Sequence, residues 1–412
     1  MKRNFKSILF FGITVTLFFG CKNSESITDN LLPDRRGQII QVSTTDELQQ
    51  ALSDVKPHET ILVADGVYRL KQPLMVENKA HFTLRGASGD AAKVVLKGGG
   101  WEGASPRDGI VIRSSNDLVI ADLSLVDMRS FGIKIEALGN ESFPMSPKNI
   151  HILRCNFMNI GVRAIKGTAP ANRQLLEGGS VRFCRFENTD VPDTTWQFRG
   201  DYISAIDMMF LKDWTFSDNV FYNIRGAHGG GRGAIFIWNQ SRNILVERNV
   251  FIGCDRSISF GNPSEPTYYE PGTLHNYDGI IRNNFIVAGN MRGKGIEVVW
   301  ADNVQVCHNS VYASDMQYRA IDCFQKISGV VVANNLVRGR IFSEGEVQLN
   351  SNVTGELDNY FISPATGNLH LTAYAEEAID KGAQLSCAPK DIDGQVRETS
   401  PDVGADEFIR KN

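Results

Sequence analysis

Along this chain an apolar residue, two polar positions, an asparagine, one further position and a second apolar residue recur about every thirty residues. The clearest copies are Phe216/Asn219/Phe221, Val246/Asn249/Phe251, Ile280/Asn283/Phe285, Val306/Asn309/Val311 and Val331/Asn334/Leu336. Val181/Cys184/Phe186, Ile152/Cys155/Phe157 and Ile120/Leu123/Leu125 extend the register backwards, with Cys or Leu in place of Asn. A period of this length marks a solenoid. Each repeat holds two or three short alternating strands broken by Gly, Asn, Asp and Ser, which leaves no room for a helix. The pattern therefore predicts an all-β chain, a single-stranded parallel β-helix. A buried turn leaves backbone groups without partners, and a side-chain amide stacked on the next rung's amide satisfies them, so the asparagines are expected to form an internal ladder.

The two ends of such a coil need covering, because open strand edges invite aggregation. Thr44-Thr45-Asp46-Glu47 has capping-box spacing ahead of Leu48, Ala51, Leu52 and Val55, which predicts a short amphipathic helix over the first rung. After Asn350 the periodicity stops and an irregular C-terminal cap follows. In that cap Asp391, Asp393 and Gly394 suggest a calcium loop, but the further ligands of an EF-hand are missing, which favours turn formation and salt bridging with Arg397. At the other end, Lys2, Arg3 and Lys6 precede an apolar run from Ile8 to Phe19 and then Gly20-Cys21. LFFGC resembles a bacterial lipobox, whose cysteine would be lipidated; ordinary cleavage and free secretion is the alternative. The expected division is a signal peptide over 1–20, a polar tether over 21–37 carrying the lipid on Cys21, the β-helix over 38–350 and the capping segment over 351–412.

Composition narrows the partners. A net charge of −4 spread over both signs makes nucleic acid an unfavourable partner. The seven cysteines show no metal-type CxxC spacing. Cys155 and Cys184 fall on ladder positions and Cys323 on an inward strand position, so core packing is their expected role. An exported, monomeric protein on the outer membrane or facing the periplasm is expected.

The repeat also exposes the outer face to reading. Strands of the form small–Ile–x–apolar recur as GIKIEA, AIKGTA, AIDMMF, AIFIWN, SISFGN, GIEVVW and AIDCFQ. Alternation turns the Ile inward and sets Lys134, Lys166, Asp207, Phe236, Ser259, Glu297 and Asp322 in one outward row. By the same alternation Gly132, Ala164, Ala205, Ala234, Ser257, Gly295 and Ala320 form a second outward row, a floor of small residues. The long loops at 187–203, 222–233 and 261–279 converge on the middle rungs. Lys166, His228, Arg232 and Arg256 are the catalytic candidates there. Tyr202, Asp207, Phe236, Trp238, His275 and Tyr277 are the candidates for substrate contact. Glu297 and Asp322 either hold Ca2+ or are neutralised by Arg256, Lys294 and Arg319. Lys166 with Asp207 also reads as a surface ion pair, GAHGGGRG as a plain flexible turn, and Trp238 as packing under the 261–279 loop. Exposed aromatics, cations and carboxylates along a groove suit an extended acidic polysaccharide.

The segment VSTTDELQQALSDVKPHETILVADGVYRL, with the repeats after it, resembles the right-handed parallel β-helix proteins of the pectin-lyase-like superfamily, and alginate lyases and chondroitinase B in particular. The resemblance implies a polysaccharide lyase acting by β-elimination, with a Lys base, an Arg and calcium on the substrate carboxylate. Lys166 stands where such a base would, with Arg163 and Lys134 near enough to lower its pKa. The Arg expected one rung later is Asp207 here, so Arg232 or Arg256 would serve instead. NTD at 188–190 and AHG at 227–229 faintly resemble polygalacturonases, which makes a glycoside hydrolase one alternative. A non-catalytic glycan-binding surface protein is another.

Overall fold

The computed structural model describes residues 37–410 except 103–105, 170–173, 196, 267–272, 290 and 291. Three parallel sheets wind around one core. The front sheet is built from Leu74–Glu77, Asp108–Arg113, Phe131–Glu136, Arg163–Thr168, Ser204–Met209, Gly233–Trp238, Arg256–Phe260, the first part of Lys294–Asp302, Arg319–Ser328 and Arg340–Ser343. A second sheet begins at Ile39–Val42 and ends at Val347–Asn350, and a third of 11 strands runs from Gly66–Arg69 to Val353–Thr354. The expected parallel β-helix is thus observed, with one helix ahead of it in the chain and an irregular tail after it that lies along the third sheet rather than over the last rung.

The core follows from the inward half of each strand. Ile133, Ile165, Ile206, Ile235, Ile258, Ile296 and Ile321 are all 0% exposed and stack rung on rung. From the third sheet Phe157, Phe186, Phe221 and Phe251 form a column with ring centroids 4.8, 4.8 and 4.7 Å apart. Offset aromatic pairs of this kind add about 0.5–1.5 kcal/mol each beyond the area they bury.

The asparagine ladder is present, in a register corrected at two rungs. It runs Asn219, Asn249, Asn284, Asn309, Asn335 and Asn352, and from Asn249 onward each Oδ1 accepts from the side-chain amide of the rung before at 2.9–3.0 Å. Cys184 N donates to Asn219 Oδ1, and Cys155 N to Cys184 Sγ, so the cysteines continue it as expected. Asn283 and Asn334 lie one residue off the stack, with φ of 52° and 54°. The residue ahead of each ladder position is left-handed, as Asp218, Arg248, His308 and Ser351 are. Asn is tolerated there as well, so an Asn-Asn doublet satisfies both demands and hides which member is stacked. Phe285 accordingly pairs with Val250 rather than Phe251, and points outward into the cluster beneath the C-terminal segment.

The helix Thr45–Asp54 begins with the anticipated capping box between Thr44 and Glu47 and buries Leu48, Ala51 and Leu52. The C-terminal segment lies along the third sheet: Leu357, Phe361, Leu369, Leu371 and Val403 pack on Val250, Ile252, Phe285 and Leu336. A disulfide between Cys307 and Cys387, which the spacing of the cysteines did not announce, ties this segment to the coil. Cys155, Cys184, Cys254 and Cys323 are free and buried. Asp391 accepts backbone N–H groups from Asp393, Gln395 and Glu407, while Arg397 pairs with Glu407 at 2.8 Å. The motif is therefore a tied turn, with Glu407 in the place expected of the aspartates. No described helix is long and apolar enough to cross a membrane. Cys21 and the tether lie outside the described residues.

Candidate functional site

Parallel pairing aligns Lys134, Lys166, Asp207, Phe236, Ser259, Glu297 and Asp322 rung by rung on the front sheet, as the sequence predicted. The small residues do not form a second outward row. Pairing runs from Phe131↔Arg163 directly to Ile133↔Ile165, so the strand bends at Gly132 and Ala164 and two successive residues turn inside. A Cβ on Gly132 would come within 3.0 Å of the Phe157 ring. The residue before each small one is the outward one: Phe131, Arg163, Ser204, Gly233, Arg256, Lys294 and Arg319, with Arg340 paired beside Arg319 on the next rung. What the sequence offered as a flat floor is, over most rungs, a row of cations.

Asp207 organises the middle of this surface. Its carboxylate, 1% exposed, accepts from Arg163 Nε at 2.6 Å, Lys166 Nζ at 2.9 Å and Trp238 Nε1 at 3.0 Å. Burial opposes ionisation, but the charges of Lys166 and Arg163 hold the Asp207 carboxyl well below the usual carboxylate range. Burial pulls the Lys166 ammonium below its ordinary value; Asp207 resists this, while Arg163 and Lys134 add to it. The ion pair anticipated as one reading of Lys166 therefore exists, and it sits where burial works against the lysine's charge.

Arg232 lies just ahead of the strand Gly233–Trp238. Among the described residues its guanidinium makes no ion pair. Burial, then the neighbouring charges of Arg256 and Arg163, lower its pKa, and Glu297 and Asp207 only partly compensate. Arg256 binds Glu297 at 3.1 Å. Lys294 bridges Glu297 at 2.6 Å and Asp322 at 2.7 Å, and Arg319 adds a 3.2 Å contact to Asp322. Calcium does not fit at Glu297 and Asp322: both carboxylates are buried, each is claimed by two cations, and a metal would have to enter against Arg256, Lys294 and Arg319. Among the described residues the six cations Arg163, Lys166, Arg232, Arg256, Lys294 and Arg319 find only the three carboxylates of Asp207, Glu297 and Asp322 as ion-pair partners, so cations outnumber carboxylates by three.

The aromatic candidates divide. Tyr202 is at the site, its ring 4.0 Å from the Arg163 guanidinium carbon and its carbonyl accepting from Arg163 at 2.7 Å. Phe236 is only 4% exposed and stacks on Trp238 at 5.2 Å. Trp238 is half-buried, edge-on to His275 and bonded to Asp207, so neither ring is the open platform expected. His275 is fully buried; its Nδ1 accepts from Asn239 N and its Nε2 meets Ser264 O, and burial lowers its pKa to about 4. It is a neutral structural residue rather than a substrate contact. Tyr277 belongs to the second sheet, paired with Arg242 and Asp302, and its hydroxyl accepts from Leu274 N. His228 is exposed, with Nδ1 3.5 Å from Asp201. Its loop is no slack turn, because Asp201 accepts from His228 N and Gly230 N, and Asp255 from Gly226 N and Gly231 N.

Arg163, Lys294, Arg319 and Asp201 were not singled out as site residues, although reading the same register one residue earlier along each strand finds the first three. A cavity of about 840 Å³ lies among C-terminal residues, including Ile362, Leu371, Ile379 and Phe408, and shares no residue with the cation row.

No protein-family model matches this chain, and no curated protein matches it. Among solved structures it is similar to an alginate lyase from Paenibacillus sp. str. FPU-7, at 16% identity over 77% of this chain and 99% of that one, with a TM-score of 0.47. It is similar to the pectate lyase Pel9A, at 14% identity over 91% and 97% of the two chains and a TM-score of 0.48. It is also similar to PfbA, a surface adhesin of Streptococcus pneumoniae, at 12% identity over 75% and 85% and a TM-score of 0.48. An enzyme pair and an adhesin stand equally near, and the likeness is one of fold.

Proposed function

We propose that the front sheet binds an acidic, uronate-containing polysaccharide and cleaves it by β-elimination, and that the protein is exported and works as a lipid-anchored monomer. The observation that carries the first part is Arg232, without an ion pair among the described residues, beside Arg163 and Arg256 and two rungs from a lysine whose pKa is depressed. Unpaired guanidinium groups hold carboxylates, and a row of cations at about 4.8 Å per rung follows a polymer. The anchor is supported by the Lys2/Arg3/Lys6 start and the run ending in Gly20-Cys21.

In this reading Arg232 neutralises the carboxylate of one uronate, which acidifies the proton on the adjoining ring carbon. Neutral Lys166 takes that proton, the electron pair forms the ring double bond, and the bond to the leaving sugar oxygen breaks. The oxygen leaves with a proton from Lys166 or water, and Asp207 balances the ammonium in between. A two-carboxylate hydrolase is less well served, because Asp207, Glu297 and Asp322 are each held by two cations and none is free to donate a proton. Binding without cleavage is favoured by one observation, the closed 2.9 Å Lys166–Asp207 pair. A panel of acidic and neutral polysaccharides, assayed for new reducing ends and for absorbance of unsaturated uronates, separates the three. Both signals indicate a lyase; ends without absorbance, a hydrolase; retention on the polymer with neither, a binding protein.

A further inference from the structure

Phe198 is 72% exposed, yet it is not carried on a slack loop. Phe198 and Arg199 both adopt left-handed backbone, φ 49° and 57°, a conformation disfavoured for any residue with a Cβ. The turn is held in that shape from both sides. Asp201 N donates to Phe198 O at 3.2 Å, and Ala227 N donates to Gly200 O at 3.0 Å. The Asp201 carboxylate in turn grips the His228–Gly230 backbone. The Phe198 ring leans on Tyr202 at 4.9 Å, Tyr202 lies against Arg163, and Arg163 bonds Asp207, the partner of Lys166. The ring is thus held outward, on left-handed backbone, at the end of a contact chain leading to the cationic floor. Phe236 and Trp238, which sequence offered for sugar stacking, are covered or engaged.

We propose that Phe198, backed by Tyr202, is a stacking subsite for the apolar face of a pyranose ring in the same acidic chain that Arg232 engages. The inference rests on the groove reading above. An exposed aromatic face offers C–H stacking that tolerates sequence along a polymer, while the cations select the charged sugar.

The test measures binding rather than turnover, by retardation in gels containing alginate or polygalacturonate, with a neutral glucan as control. Phe198→Ala and Phe198→Gly are expected to weaken binding to an acidic probe about five- to tenfold, and Phe198→Trp to preserve it. Phe198→Gly relieves the left-handed strain, so it should unfold no earlier than wild type while still losing affinity, which a purely structural phenylalanine would not do. Tyr374→Ala removes an equally exposed ring from the C-terminal segment and should bind as wild type. If Phe198→Ala binds normally while Arg232→Ala does not, the stacking subsite is wrong and the groove stands. If wild type binds neither acidic probe, or Arg232→Ala binds as well as wild type, the groove reading and the subsite fall together.

Discussion

Replacing Asp207 by Asn removes one negative charge and keeps nearly the same shape. Arg163 is left 1% exposed with no counter-charge, and Lys166, 12% exposed, loses its partner as well. Removing one side of a buried pair costs about 3–5 kcal/mol. Lys166 can relieve part of this by releasing its proton, but Arg163 cannot, so the lower end of that range is expected for Asp207→Asn. The pH dependence has a definite sign. Asp207 is depressed in the folded state, so its contribution is present above the ordinary carboxylate pKa and is lost as pH falls through the folded value. Urea unfolding followed by circular dichroism at pH 6 should show a loss of about 3 kcal/mol, and the gap to wild type should narrow below about pH 4. An unchanged midpoint at pH 6, or a gap that widens on acidification, would refute the reasoning.

The corrected ladder register predicts that Asn284→Ala, which strands buried partners on two rungs, costs about 3–5 kcal/mol. Asn283→Ala loses the contacts to Lys390 O and Arg397 and should cost about 1–2 kcal/mol; the reverse ranking in urea midpoints would show that the stack runs through Asn283. In the C-terminal segment burial raises Asp402 and Asp406 to about 6, and the Asp393 bond helps raise His370 against its own burial. Each folded pKa lies above its unfolded value, so the stabilisation is complete below the unfolded pKa and is lost as pH rises through the folded one. Limited proteolysis, read on reducing gels because the Cys307–Cys387 disulfide holds a cut segment in place, should therefore nick the segment faster at pH 8 than at pH 5, and equal or slower nicking at pH 8 would contradict the assignment.

How much of this was legible in the chain differs by residue. The inward isoleucines and the Lys166–Asp207–Glu297–Asp322 row could be read because strand alternation is local and repeats unbroken across seven rungs. The small-residue row failed because alternation breaks at the bend, where Gly132 and Ala164 turn inward without pairing. Asn283 and Asn334 misled because a left-handed turn and a stacked amide favour the same residue type one position apart. Burial of His275 depends on the segment at Ser264 folding back over it, and burial of Phe236 on Trp238 stacking against it, neither of which alternation encodes. The neutralisation of Glu297 and Asp322 by Arg256, Lys294 and Arg319 was legible, because Lys294 and Arg319 stand three residues ahead of Glu297 and Asp322 on the same strands.

The central claim is that Arg232 and Lys166 on the front sheet perform β-elimination on a uronate polymer. Its most direct test is the rate of unsaturated-uronate absorbance from the acidic polysaccharide the panel identifies, for wild type, Arg232→Ala and Lys166→Ala, each shown to be folded. The account predicts that wild type produces absorbance in step with new reducing ends, and that both variants fall by about a hundredfold or more. Reducing ends without absorbance, or either variant at the wild-type rate, would contradict it.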